Sequence, residues 1–396
     1  MCINSYAAAP PHAILAASGT RAAPCFSLPN LVDIPFLKKI QFPKIRLNFA
    51  LGPASFVGID VGSDSVKVVQ LRKEREHAVL ETYGELKAAR YFPGERGGGF
   101  LAHSDQNVSN LLTDVLRESN VTTKRAVFGI PSTSSFLTLV RLPLLSPQEI
   151  RSAVPFEAKK YIPIPLAEVA LDWQVLETDE AEKRTDVLLV AVPNEVIAKY
   201  RRIADALGLE LEAVEVESFS LVRSLLGTDR GVTAIIHWGA AVITVTIADR
   251  RQIRMNSNFG RGSQEVTEAL ARSLGIAPER ADAMKREVGL SEKPEEREVS
   301  GIIAPIVDST LADIERALTN YNRTAKRKVE KIAITGGGAS LAGLVDRVAK
   351  HFGLETTIGN PFSRTLFPAF LQPVLKGIAP NFSVAVGLAL RQIATG

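Results

Sequence analysis

Val57-Gly58-Ile59-Asp60-Val61-Gly62-Ser63-Asp64-Ser65-Val66-Lys67-Val68-Val69 reads as a strand, a turn of small residues and a second strand. The pattern returns once, as Ala234-Ile235-Ile236-His237-Trp238-Gly239-Ala240-Ala241-Val242-Ile243-Thr244-Val245-Thr246. With Gly62 set on Gly239, Val66 falls on Ile243, Lys67 on Thr244 and Asp60 on His237. Apolar, β-branched runs on either side of a glycine turn are the mark of a hairpin. The chain therefore carries one hairpin twice, and the acid of the first copy is a histidine in the second.

Two such hairpins hold a nucleotide's phosphates from both sides. Phosphates need backbone N–H donors with room to approach, and a glycine and serine turn concentrates them into an anion nest. Gly62, Ser63 and Ser65 supply this on the first hairpin, and Gly239 on the second. Asp60 ends its strand where it holds magnesium through water, since magnesium prefers oxygen ligands and keeps part of its hydration shell. Lys67 reaches a phosphate as a point charge. Alone, Gly-Ser-x-Ser occurs in many ordinary hairpins. Gly336-Gly337-Gly338, after the apolar run Ile332–Thr335, adds a place where a flat ligand lies against backbone. A tight strand-to-helix turn is the plainer reading of that triplet. Asp282 and Lys285, one helical turn apart, add an acceptor for ribose hydroxyls and a lysine beside the base, or simply a surface ion pair.

Composition narrows the class. The chain has 396 residues, 46% of them hydrophobic, enough for two or more cores. No apolar run stands out as long enough to span a bilayer. The two cysteines, Cys2 and Cys25, lie near the N-terminus, so a disulfide framework is not expected. The net charge of +4 resides in residues 1–50, where Arg21, Lys38, Lys39, Lys44 and Arg46 face only Asp33. The rest is balanced, which argues against a nucleic-acid binder. Residues 1–55 read as a flexible basic and apolar leader, with contact to an acidic membrane surface as a second reading.

Along the chain, residues 56–136 form a first unit with the first hairpin, a strand near 79–88, a helix near 107–119 and a strand at 125–130. The glycines between Phe92 and Asp105 mark a loop. Residues 137–215 read as an α+β insertion of strand, helix, strand, strand, helix, strand, whose first helix opens on the capping box Ser146-Pro147-Gln148-Glu149. Residues 216–396 form a second unit, with the second hairpin, helices over 263–330 and the glycine triplet.

The order of hairpin, insertion, hairpin, Asp-x-x-Lys helix and strand with Gly-Gly-Gly resembles the actin-like ATPase superfamily. Within it the chain is most similar to the PilM family of type IV pilus assembly, with the FtsA division family second. The stretches that carry this are Val57 to Lys67, Glu157-Ala158-x-x-Tyr161-Ile162-Pro163, Val192-Pro193-x-Glu195-Val196-Ile197, Asn360-Pro361-Phe362 and Val386-Gly387-Leu388-Ala389-Leu390-Arg391. The resemblance implies an α/β fold of two duplicated ribonuclease-H-like lobes with an ATP and magnesium cleft between them. It also implies an SHS2-type insertion in the first lobe. It implies a cytoplasmic protein peripheral to the inner membrane that binds the N-terminal peptide of a PilN-like bitopic membrane protein, alongside other pilus motor components. Nucleic acid is not an implied partner, and a homo-oligomer is left open. Asp60, Gly62, Ser63, Ser65 and Lys67 match the first phosphate motif, Gly239 the second, Asp282 and Lys285 the family's Glu-x-x-Lys, and Gly336, Gly337 and Gly338 the adenosine motif.

The departures set an expectation. His237-Trp238-Gly239 stands where the superfamily has Asp-Ile-Gly, and histidine is a poor magnesium ligand. Trp238 is bulky beside a phosphate turn. Weak or absent hydrolysis is expected, with the chain acting as a scaffold. An active ATPase driving pilus assembly and an FtsA-like protein that polymerises at the membrane are the alternatives. Phe156, Tyr161, Ile162 and Ile164 read as core or interface packing more readily than as a peptide groove.

Overall fold

A computed structural model describes residues 54–92 and 102–394. The expected leader and most of the expected glycine loop lie outside the described residues. The chain begins with an antiparallel meander of β1 (Ser55–Val61), β2 (Ser65–Glu74) and β3 (His77–Lys87). Helix α1 (Asp105–Glu118) follows, capped by Ser104, whose hydroxyl accepts from Asn107 N–H at 3.2 Å. β4 (Arg125–Ile130) then lies parallel to β1. Val57 and Ile59 of β1 point into a core with Val108, Leu111 and Phe128, as the period of two along a strand requires.

The insertion comes next, with β5 (Phe136–Pro143), α2 (Pro147–Ala158), β6 (Val169–Asp179) and β7 (Arg184–Pro193). The three strands form an antiparallel sheet in the order β5-β7-β6. The capping box closes α2, with Ser146 N–H donating to Glu149 Oε2 at 2.8 Å and Glu149 N–H to Ser146 Oγ at 3.3 Å. β7 is apolar from Val187 to Val192 because both its faces are covered there. Val187, Leu189 and Ala191 meet α2, whereas Leu188, Val190 and Val192 join the first-lobe core.

Helix α3 (Asn194–Ala206) and β8 (Glu210–Val216) were expected to complete the insertion, and their hydrogen bonds place them elsewhere. β8 runs parallel to β4, from Arg125 opposite Glu210 to Ile130 opposite Val216, and closes the first sheet in the order β3-β2-β1-β4-β8. Val196, Tyr200 and Ile203 of α3 sit in the first-lobe core, and Tyr200 O–H donates to Gly129 O at 2.7 Å. Helix α4 (Glu217–Leu226) adds Phe219 and Leu221 to that core, so it too belongs with the first lobe.

The second lobe repeats the plan. β9 (Thr233–Trp238), β10 (Ile243–Asp249) and β11 (Gln252–Phe259) form the meander. Helices α5 (Ser263–Leu274), α6 (Pro278–Glu287) and α7 (Arg297–Thr324) follow, then β12 (Lys331–Thr335), α8 (Leu344–Phe352) and β13 (Glu355–Ile358). The sheet order, β11-β10-β9-β12-β13, is the order of the first sheet, with β9, β12 and β13 parallel. Val299, Ile303, Val307, Leu311, Ile314 and Leu318, the apolar stripe of α7, pack into the core of this lobe.

The chain then returns to the first lobe through α9 (Gln372–Ile378) and α10 (Ser383–Ala394). α10 lies on β1, β2 and β4 and against α4. It lies so close to β1 that a Cβ at Gly58 would stand 2.7 Å from Ala389 N. Ala369–Ile393 is long and apolar enough to cross a membrane, contrary to the expectation that no run would be, and 67% of its most apolar window is buried inside the fold. A helix apolar on all sides is what a core position between a sheet and another helix demands.

Candidate functional site

Both hairpin turns close in the same way. Gly62 N–H donates to Ser65 O at 3.1 Å, and Gly239 N–H donates to Val242 O at 3.0 Å. The pairing registers match too, with Asp60 opposite Lys67 in the first hairpin and His237 opposite Thr244 in the second. A Cβ at Gly239 would stand 2.5 Å from Val242 O, so the second turn excludes any side chain there. The carbonyls of Gly239 and Ala240 accept from Ser263 N–H at 3.0 Å and Gln264 N–H at 2.9 Å. The N-terminus of α5 is thereby fixed against the second turn.

The turns present backbone more than side chains. Ser65 is buried, and its hydroxyl donates to Glu85 at 2.6 Å, so that hydroxyl's proton is already committed within the fold. Lys67 Nζ lies 3.4 Å from Ser65 O, over the first turn. Asp60 sits within electrostatic range of Lys67, His237, Glu217 and Glu85. Burial raises its carboxyl above the usual range, and Lys67 and then His237 only partly pull it back.

His237 faces this group. Strand alternation sends Ile236 and Trp238 into the second-lobe core and His237 to the opposite side. Its Nδ1 is buried without a hydrogen-bond partner. Burial pushes its pKa down to about 4, with Lys67 adding to the drop and Asp60 opposing it. The imidazole is therefore neutral near pH 7, and it offers a weak acceptor where a carboxylate would offer charge.

Sequence reasoning missed Glu217. It opens α4 and is shared between the lobes, accepting from Ser132 N–H at 3.0 Å on the first and from Thr244 Oγ1 at 3.3 Å on the second. Burial raises its carboxyl, and the bonds from Ser132 and Thr244 partly offset this. The available signal was an acid at the first helical position directly after the strand that ends Ala213-Val214-Glu215-Val216.

Trp238 does not crowd the phosphate turn. It is buried in the second-lobe core, where it packs under the glycine triplet. A Cβ at Gly338 would stand 2.6 Å from Trp238 Cγ, and one at Gly336, which has φ of 87°, would stand 2.6 Å from Trp238 O. Gly338 makes room for the indole, and Gly336 for the Trp238 backbone. Gly337 alone of the three has open space beside it, with Asn381 Oδ1 3.9 Å away as its nearest neighbour.

Asp282 and Lys285 form an ion pair of 2.7 Å. Lys285 is buried and also donates to Thr267 Oγ1 at 2.8 Å and Ser263 O at 3.2 Å, so it ties α6 to α5 beneath the second turn. Its bonds point inward, not beside a base. Burial raises the Asp282 carboxyl, and Lys285 with Arg286 more than reverses this. Each Asp282 oxygen already holds one cation and keeps a lone pair for a further donor.

The turns at Gly62 and Gly239 and the open Gly337 leave backbone uncovered by side chains, which is what a phosphate chain and a flat ring require. One strand-end carboxylate, Asp60, fits a water-mediated magnesium ion, which takes few protein ligands. Among the described residues no group of three or more His, Cys, Asp and Glu gathers to hold a metal by itself.

Two sheets of one order, each with a glycine hairpin turned toward a common cleft, define an actin-like ATPase fold. A model of the family described as Type IV pilus assembly protein PilM matches residues 58–393, and the chain belongs to that family. Among solved structures it is similar to a PilM-PilN type IV pilus biogenesis complex, with 21% identity, 86% of this chain and 99% of that chain covered, and a TM-score of 0.74. It is also similar to the ethanolamine utilization protein EutJ from Carboxydothermus hydrogenoformans, with 16% identity, coverage of 86% and 90%, and a TM-score of 0.51. A cell division protein FtsA from Enterococcus hirae is 26% identical over 197 residues, which is 44% of this chain and 44% of that protein. The match thus spans less than half the length of that relative.

Proposed function

We propose that the chain is a cytoplasmic scaffold of the type IV pilus inner-membrane complex. It docks the cytoplasmic N-terminal segment of a PilN-like membrane protein, and it holds a nucleotide that it hydrolyses weakly or not at all. The observation that carries the nucleotide half is the neutral, partly buried His237, with its unpartnered Nδ1, in a cleft that keeps both backbone turns. In this reading the turns that Gly62 and Gly239 close, with the Ser63 backbone and Gly337, line the ATP, Lys67 balances phosphate charge, and Asp60 orients water around magnesium. Bound magnesium would screen the phosphates' charge. With no anion at position 237, no group on the second hairpin orients a further water.

The docking half is supported by the insertion, which we take as the SHS2-type domain. Phe156 is 72% exposed and Tyr161 46% exposed, on and just after α2, so of the core or interface packing read from the sequence the core part does not hold for them. Ile162 is buried and Ile164 is partly so. Exposed aromatic side chains of this kind mark protein contact surfaces. The test is calorimetric titration of a synthetic N-terminal peptide of a PilN-like membrane protein. The reading expects saturable binding, lost in a Phe156→Ser, Tyr161→Ser double variant whose melting temperature is unchanged. Equal binding by the double variant refutes this placement of the surface.

Glu217 favours the second reading, a working ATPase. It is an acid that both lobes hold in the cleft without help from position 237. The two readings part on turnover, since hydrolysis lost in Glu217→Gln would make that residue the catalytic group.

A further inference from the structure

One cavity among the described residues lies away from the cleft. It lies between the insertion sheet and the second lobe, has a volume of about 260 Å³, and none of Asp60, His237, Glu217 or Lys67 lines it. Arg141, Arg184 and Asp186 of the insertion line one side. Arg254 of β11 and Tyr321 of α7 line the other.

Its charges are incompletely matched. The Arg254 side chain is only 8% exposed, yet its Nε–H is buried with no hydrogen-bond partner. Its Nη2 reaches only long partners, Glu177 and Gln252, each at 3.4 Å. Across the cavity Asp186 Oδ1 is also buried without a hydrogen bond. It lies 3.9 Å from Nε of both Arg141 and Arg184, in ion-pair range of each and bonded to neither. The other cations at the rim are taken. Lys326 binds Asp179 and Glu177, and Arg327 binds Asp249 and Glu330. Burial pushes the Tyr321 hydroxyl up to about 12, so it stays protonated as a neutral donor.

Three guanidinium groups with spare donors therefore face one space, beside Asp186 and beside Glu177 and Asp249, which already hold Lys326 and Arg327. An orphaned buried donor costs free energy, and such groups are normally satisfied. Guanidinium forks suit planar or tetrahedral oxyanions, and a cavity of this size suits a small molecule. We propose that this cavity is a binding site for a small oxyanion that also carries a hydroxyl, such as hydrogen phosphate or a hydroxycarboxylate. The anionic oxygens accept from Arg254, Arg184 and Arg141, and the hydroxyl donates to Asp186. Both the insertion and the second lobe supply ligands, so the anion bridges them where they meet.

The experiment is calorimetry on the full chain with orthophosphate and, separately, malate, each against chloride at matched ionic strength. The expected result is saturable binding of at least one anion, and the stronger of the two names the headgroup. Arg254→Gln and, independently, the more exposed Arg184→Gln should each weaken it by about tenfold or more. Lys67→Ala, which alters the cleft, should leave it intact. Binding lost in Lys67→Ala but kept in Arg254→Gln or Arg184→Gln assigns the anion to the cleft and overturns the proposal. So does the absence of saturable binding by either anion.

Discussion

Replacing His237 by Gln should remove a pH dependence of stability whose size follows from its environment. The folded imidazole titrates at about 4 and an unperturbed one at 6.5. Between those values the unfolded chain holds the extra proton, so folding stability is complete above pH 6.5 and falls as pH drops toward 4. Each pH unit between the two midpoints corresponds to about 1.4 kcal/mol, so the full loss approaches ~3 kcal/mol, most of it reached by about pH 4.5. Asp60, whose carboxyl is raised, acts in the opposite sense, because its folded form takes up a proton more readily and stabilises the fold in acid. Comparing the native chain with His237→Gln at each pH cancels most of that contribution. The assay is urea unfolding near pH 7 and near pH 4.5, with the imidazole titration followed by NMR. The native chain should lose ~2–3 kcal/mol more than the variant between those conditions. An imidazole midpoint near 6.5, or equal losses in both proteins, refutes the neutral, partly buried histidine.

Two further outcomes test the frame around the cleft. Glu215 is buried, paired bidentately with Arg223 at 2.7 Å and with Arg391 at 2.8 Å, and so ties β8, α4 and α10 together. Glu215→Ala leaves two cations facing each other and should cost about 3–5 kcal/mol, read as a fall in the urea midpoint. Gly338→Ala should cost about 1–3 kcal/mol by overpacking against the Trp238 ring, and Trp238 fluorescence should shift toward that of a more exposed indole.

The parts of this fold visible in the sequence are those written in local pattern. The twin hairpins show in two strands around a glycine each, and α5 and α6 in their helical spacing and the proline at the start of α6. What local pattern leaves out is which sheet a strand joins. β8 follows α3 directly, so contiguity assigns it to the insertion, whereas its parallel partner β4 lies some 80 residues earlier. α10 reads as the end of the second lobe, although it covers the first sheet at Gly58. The site shows the same division. Gly62, Gly239 and Asp60 are legible as a motif, but Glu217 acquires its setting only when Ser132 and Thr244 close on it from two lobes. Trp238 and Gly338 are far apart in the chain, and only the fold shows that the glycine exists to seat the indole ring. Exposure at Phe156 was likewise illegible, since an apolar residue on a helix looks alike whether it packs inward or meets a partner.

The measurement closest to the central claim is titration of ATP with magnesium into the native chain, with phosphate release followed in the same sample and in His237→Asp. The account predicts saturable binding that Lys67→Ala weakens, with no release above background by the native chain and measurable release by His237→Asp. Clear turnover by the native chain would contradict it, and so would an inability to bind ATP.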